Sequence, residues 1–124
     1  MKKLLVTFVL ALATVFSYSQ LSYVATDFRI GDRESLLDEM DWSDWQELDG
    51  TEINLEKQKL TIFAIPKQEY LVGEKEWFDD VEGFFWTSYS TNGKPCRIYI
   101  VFMEETYLGV EFDNIGIEYK IKKK

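Results

Sequence analysis

The sequence predicts a mainly β domain: a single antiparallel barrel, or a strongly curled meander, of 7–8 short strands with at most one short helix. Three observations predict it. Apolar and polar residues alternate with period two over much of the chain after Gly50, which is the signature of half-buried strands. Asn92-Gly93 separates two runs rich in aromatic and β-branched residues, a hairpin signal. The strand-like runs follow one another at close spacing, as they do in barrels and sandwiches.

In chain order, Ser22 to Ile30 forms a first strand anchored by Tyr23, Ala25 and Phe28, and Gly31 ends it. Asp32 to Met40 is the one segment with a helical pattern, with Asp32 as N-cap. Trp42 to Glu47 extends again and is broken at Asp49-Gly50. Ile53 and Leu55 then alternate with polar neighbours, as do Leu60 and Ile62. Folding back between them pairs Leu55 with Leu60 and Ile53 with Ile62, apolar on apolar. Tyr70 and Val72 mark a short strand after Pro66, and Glu74 to Glu82 reads as an acidic loop around Trp77 and Phe78.

A two-residue turn at Asn92-Gly93 sets Tyr89 opposite Cys96, Thr87 opposite Ile98 and Phe85 opposite Ile100. Its other face pairs Trp86 with Tyr99 and Phe84 with Val101. The last hairpin turns at Asp113-Asn114. Leu108, Val110 and Phe112 meet Ile115, Ile117, Tyr119 and Ile121 on a buried face. Gly109, Glu111, Gly116, Glu118 and Lys120 take the wet face.

The ends carry a second kind of information. Lys2 and Lys3 precede an apolar run from Leu4 to Phe16, and Ser17-Tyr18-Ser19 places small residues before Gln20. That order is expected of a secretory signal peptide over residues 1–19, cleaved near Ser19-Gln20. The apolar run is 13 residues, short of the roughly 20 that span a bilayer, so no stable membrane anchor is expected. Residues 20–124 then form one β domain, exported to the periplasm or beyond. Cys96, the only cysteine, cannot form an internal disulfide and reads as a buried small hydrophobe.

Loss of Lys2 and Lys3 takes the formal charge from −8 to −10. Such a domain repels phosphate backbones, so nucleic acid is not an expected partner. A basic protein is favoured by long-range attraction, although an acidic surface also serves solubility alone. The absence of histidine removes His-based acid–base catalysis and the common zinc sites. No glycine loop of nucleotide-binding type is present. The segments Asp41-Trp42-Ser43-Asp44 and Asp49-Gly50-Thr51-Glu52 hold oxygen ligands but not in EF-hand order. No catalytic residue, metal site or cofactor is therefore predicted.

The aromatics are the remaining signal. Trp42, Trp45 and Trp77 lie among acids, and with Trp86 they are the makings of either a sugar-stacking platform or a protein-binding hot spot. The plainer reading places most of them in the core, since each large aromatic buries 150–250 Å². Trp42 and Trp45 differ by three, so on one strand they point to opposite faces.

Trp42/Trp45, Ile53/Leu55 with Leu60/Ile62, Asn92-Gly93 with Cys96, and Tyr119/Ile121 together form a pattern. It resembles a group of small exported bacterial β-sheet proteins with no assigned function, over about two-thirds of the chain after the signal. The resemblance implies a fold and carries no site residues. A superficial likeness to calycin-type barrels lacks the lipocalin motifs. Three functions compete: a non-enzymatic binding domain for a protein or small ligand, an acidic inhibitor or immunity-type protein that captures a basic enzyme, and a small carboxylate hydrolase.

Overall fold

A computed structural model describes residues 21–64 and 66–124; the signal-like segment lies outside them. Among the described residues nine strands form one antiparallel sheet: β1 (Leu21–Asp32), β2 (Asp41–Trp42), β3 (Gln46–Leu55), β4 (Lys59–Ile62), β5 (Gln68–Trp77), β6 (Gly83–Ser90), β7 (Pro95–Phe102), β8 (Thr106–Glu111) and β9 (Ile115–Lys123). Their order is β2-β1-β3-β4-β5-β6-β7-β8-β9, and β1 also pairs with β9. That pairing closes eight strands into an up-and-down barrel, with β2 laid against the far end of β1.

An eight-stranded barrel is just wide enough for side chains to fill. Here the interior holds Ile53, Leu60, Ile62, Ile98, Ile100, Leu108 and Val110, all essentially inaccessible to solvent. Glu52, Lys59, Glu69, Thr87, Arg97 and Lys122 alternate with these and face out. That polarity is the reverse of a lipid-facing barrel.

The first and last hairpins have the predicted registers. Ile53 faces Ile62 and Leu55 faces Leu60; Leu108 faces Tyr119 and Val110 faces Ile117, but Ile115, expected on the buried face, lies at the turn and is exposed. The Asn92-Gly93 hairpin is shifted by one residue. Ser88 faces Cys96, Trp86 faces Ile98 and Phe84 faces Ile100. The Gly93 N–H donates to the Ser90 carbonyl at 2.9 Å, and within the loop Gly93 alone takes positive φ, +82°. The loop is therefore a three-residue turn closed by a left-handed glycine, not the two-residue turn that needs positive φ at both centres. One extra loop residue exchanges the two faces of β6, so Trp86 goes inside and Phe85 outside.

Three further expectations are corrected. No helix occurs among the described residues. Within 32–40, the Asp38 carboxylate accepts the Ser35 N–H at 3.2 Å and the chain closes a single turn. Leu36 and Leu37 are exposed, so a helix there has no apolar face to bury. Asp49-Gly50 does not break β3; with Leu48 it forms a bulge opposite Thr26 of β1, Gly50 adopting φ +72°. Glu74 to Trp77 is strand, not loop, because β5 continues past a second bulge between Val72 and Lys75.

Burial pushes the Tyr70 and Tyr119 phenols up to about 12 and the Cys96 thiol up to about 11. The fold holds these groups protonated, so the stability they contribute is present below their unfolded values and lost as pH rises from about 9 through 12. Each such group adds up to about 1.4 kcal/mol of loss per pH unit in that window. Urea denaturation should therefore show near-constant stability between about pH 7 and 8.5 and a steep fall by about pH 11. Equal midpoints at the two ends of that range would contradict the buried placement.

Candidate functional site

Antiparallel connectivity sorts the loops to two ends. The loops after β3, β5 and β7 share one end with Leu21 and the C-terminal lysines. Glu56, Asp79, Asp80, Glu82, Glu104 and Glu105 are all exposed there.

The same end presents an aromatic cluster. The bulge after Val72 inserts one extra residue in β5, so the inward face passes from Tyr70 and Val72 to Lys75 and Trp77. Trp77 faces Phe84 on β6 and lies edge-on to it, with ring centroids 5.3 Å apart. Phe84 in turn packs edge-on against Trp86 at 5.0 Å and tilts against Phe102 at 5.8 Å. The Lys75 ammonium lies 4.8 Å from the Phe84 ring centre and 5.3 Å from that of Trp77. The result is a graded mouth: Trp86 is buried at its floor, Phe84 is half-buried, and Trp77 at its lip is 64% exposed. Phe102, Met103 and Val81 extend the exposed apolar surface at this end.

Trp42 and Trp45 lie elsewhere, on the outer wall. They do not share a strand, since β2 ends at Trp42 and β3 begins at Gln46. Instead of pointing to opposite faces, both rings close on the Arg29 guanidinium, at 4.7 Å and 4.5 Å. Beneath it the buried Glu118 carboxylate accepts from Arg29 Nη2 at 2.7 Å through one oxygen and from the Tyr99 hydroxyl through the other. Burial, then the Glu118 charge, drives the Tyr99 phenol far above its ordinary value. Tyr99 can lie flat against the wall because Gly109 has no side chain to meet it. Paired Gly31 and Gly116 likewise leave a shelf for Met40 and Trp42. The face expected to be wet is thus covered between β7 and β1.

These two regions differ in what they leave unspent. On the wall, each oxygen of Glu118 has its donor and Arg29 has both its carboxylate and two rings, so the cluster is a complete structural unit. A cleft of about 350 Å³ nearby, lined by Arg33, Arg97, Glu111, Phe112 and Cys96 among others, is likewise self-paired. Arg33 binds Glu111 at 3.0 Å and donates to the Phe112 and Asp113 carbonyls. At the mouth, by contrast, a large amphipathic ring stands in water beside exposed apolar neighbours.

Sequence reasoning singles out Trp77 but places it in a loop, and does not join Lys75, Phe84 and Phe102 to it. Gly73 inside a strand pattern is the available signal for the bulge that brings them together. An interior cavity shared by Phe84, Phe85, Tyr99 and Phe102 does not form, because Phe85 and Tyr99 face outward as a pair. Among the described residues no group of three metal-ligating side chains converges. Glu69 is held below the usual carboxylate range by Lys67 and Lys59, opposite to the shift a general acid needs.

The fold and mouth define a closed, side-chain-filled β-barrel with an aromatic mouth beside two acidic loops, those after β5 and β7. No protein-family model, curated protein or solved structure matches this chain.

Proposed function

We propose that this chain is an exported, non-enzymatic binding domain that engages a protein partner through the mouth formed by Trp77, Phe84 and Phe102. The observation that carries the reading is Trp77, 64% exposed and braced edge-on by Phe84. An exposed tryptophan beside an apolar patch is the kind of side chain that anchors a protein interface. The carboxylates on the surrounding loops form a polar rim that attracts a basic partner. The filled interior disfavours a ligand swallowed by the barrel. Export is read from Lys2, Lys3 and the Leu4 to Phe16 run.

The rim also favours a narrower version of the same reading, an inhibitor or immunity-type protein directed at a basic extracytoplasmic enzyme. Affinity capture from envelope extract tests both. The wild-type chain should retain a basic protein at low salt and release it at high salt. Trp77→Ala should retain at least about tenfold less, the scale of losing one hot-spot anchor. Equal retention by the two chains would overturn the site, and salt-independent retention would overturn the electrostatic part.

A further inference from the structure

The barrel is closed, yet one strand is longer than its neighbour. On its β4 side β5 pairs only from Gln68 to Leu71, with one more bond from the Val72 N–H to the Gln58 carbonyl at 3.0 Å. β5 then runs on to Trp77 with β6 as its sole strand partner among the described residues. The Phe78 N–H donates to the Gly83 carbonyl at 3.1 Å, and Glu76 is aligned with Phe85. In an antiparallel ladder successive residues turn their N–H and C=O groups to opposite sides. Lys75 and Trp77 therefore turn theirs away from β6, toward the open edge.

From this edge we infer that the protein captures an extended peptide segment, alternating basic and apolar residues, as an added strand alongside Gly73–Trp77. The inference deepens the binding reading above and rests on it for the role of Trp77. A strand laid on this edge acquires main-chain bonds from Lys75 and Trp77, and its side chains alternate between two faces. One face meets the Trp77 ring, which selects apolar groups. The other meets Glu74 and Glu76, both exposed, which select basic groups.

A second copy of the chain is a poor occupant. Edge-to-edge antiparallel pairing centred on Lys75 would set Lys75 against Lys75 and Glu74 against Glu76, and like charges directly opposite are destabilising. Charged edges are how sheets avoid self-pairing, and here the same charges leave the edge open to a strand of complementary pattern.

A blocked heptapeptide of alternating lysine and valine is the probe, titrated by calorimetry. The wild-type chain should bind it, and a glutamate–valine counterpart should bind at least tenfold more weakly. Lys75→Pro deletes the N–H that faces the edge while leaving the β5–β6 bonds in place. It should bind at least tenfold more weakly than Lys75→Ala, which loses the same ammonium but keeps the N–H. Amide exchange on the wild-type chain gives an independent readout: the Lys75 and Trp77 amides should slow at least tenfold when the peptide is added. Equal affinities for the two Lys75 variants, unchanged exchange, or no binding of the lysine–valine peptide would each overturn strand addition. Should Trp77→Ala bind the peptide as tightly as wild type while Lys75→Pro does not, the edge stands and the mouth reading falls. The reverse pattern keeps the mouth and removes the edge.

Discussion

Replacing Glu118 with alanine is expected to destabilise the barrel by about 3 kcal/mol, the scale of removing one partner from a buried ion pair. Its carboxylate is the common acceptor for Arg29 and Tyr99, and its side chain is only 10% exposed. Without it the guanidinium remains pinned between Trp42 and Trp45 with no counter-charge, and the Tyr99 hydroxyl loses its acceptor. Glu118→Gln keeps the shape and one acceptor oxygen, so it should cost less, about 2 kcal/mol. Urea denaturation gives both numbers. The tryptophan emission of the folded variants should also shift to the red as Trp42 and Trp45 loosen. A cost under about 1 kcal/mol for the alanine variant would mean that the cluster is merely a surface pair.

Gly109→Ala is expected to cost about 3 kcal/mol, although alanine is ordinarily the more favourable residue in a strand. The added methyl would fall within the Tyr99 ring, so the ring must leave the wall and release Glu118. The cause can be isolated with a double-mutant cycle. In a Tyr99→Val background the obstructing ring is gone, and Gly109→Ala should then cost less than about 1 kcal/mol. The same cost in both backgrounds would place its origin in the backbone rather than in the ring.

Both substitutions probe a feature that periodicity could not reveal. In β9 the alternation Ile117, Glu118, Tyr119, Lys120, Ile121 reads as one dry and one wet face. The dry face is legible because a one-residue slip would put Ile117, Tyr119 and Ile121 in water together. The alternation assigns Glu118 to water because nothing near it in sequence could cover it. Its cover comes from Arg29 and Tyr99, 89 and 19 residues away. The glycines at 31, 109 and 116 are the local trace of that close packing, but a glycine in a strand has several other uses.

The mouth, too, is only partly legible in the sequence. Trp77 is visible as a large aromatic among acids, but the period-two pattern ends β5 early because a bulge interrupts it. Two residues opposite one reverse the faces downstream, so Lys75 and Trp77 join the inner side although Tyr70 and Val72 share their face only before the bulge. In the Asn92-Gly93 hairpin one additional loop residue has a comparable effect, exchanging the faces of β6 and setting Trp86 in the core.

By itself, the sequence determined that the chain makes antiparallel strands, where most of them lie, and the registers of the first and last hairpins. Burying one apolar face while wetting the other leaves a single workable register for each of those hairpins. Tertiary structure decided the closure of β1 on β9, the cover over Glu118 and the gathering of Trp77, Phe84 and Phe102. Each of these depends on bulges, turn geometry and contacts between distant segments, whose energies are settled only when the whole sheet curls into a barrel.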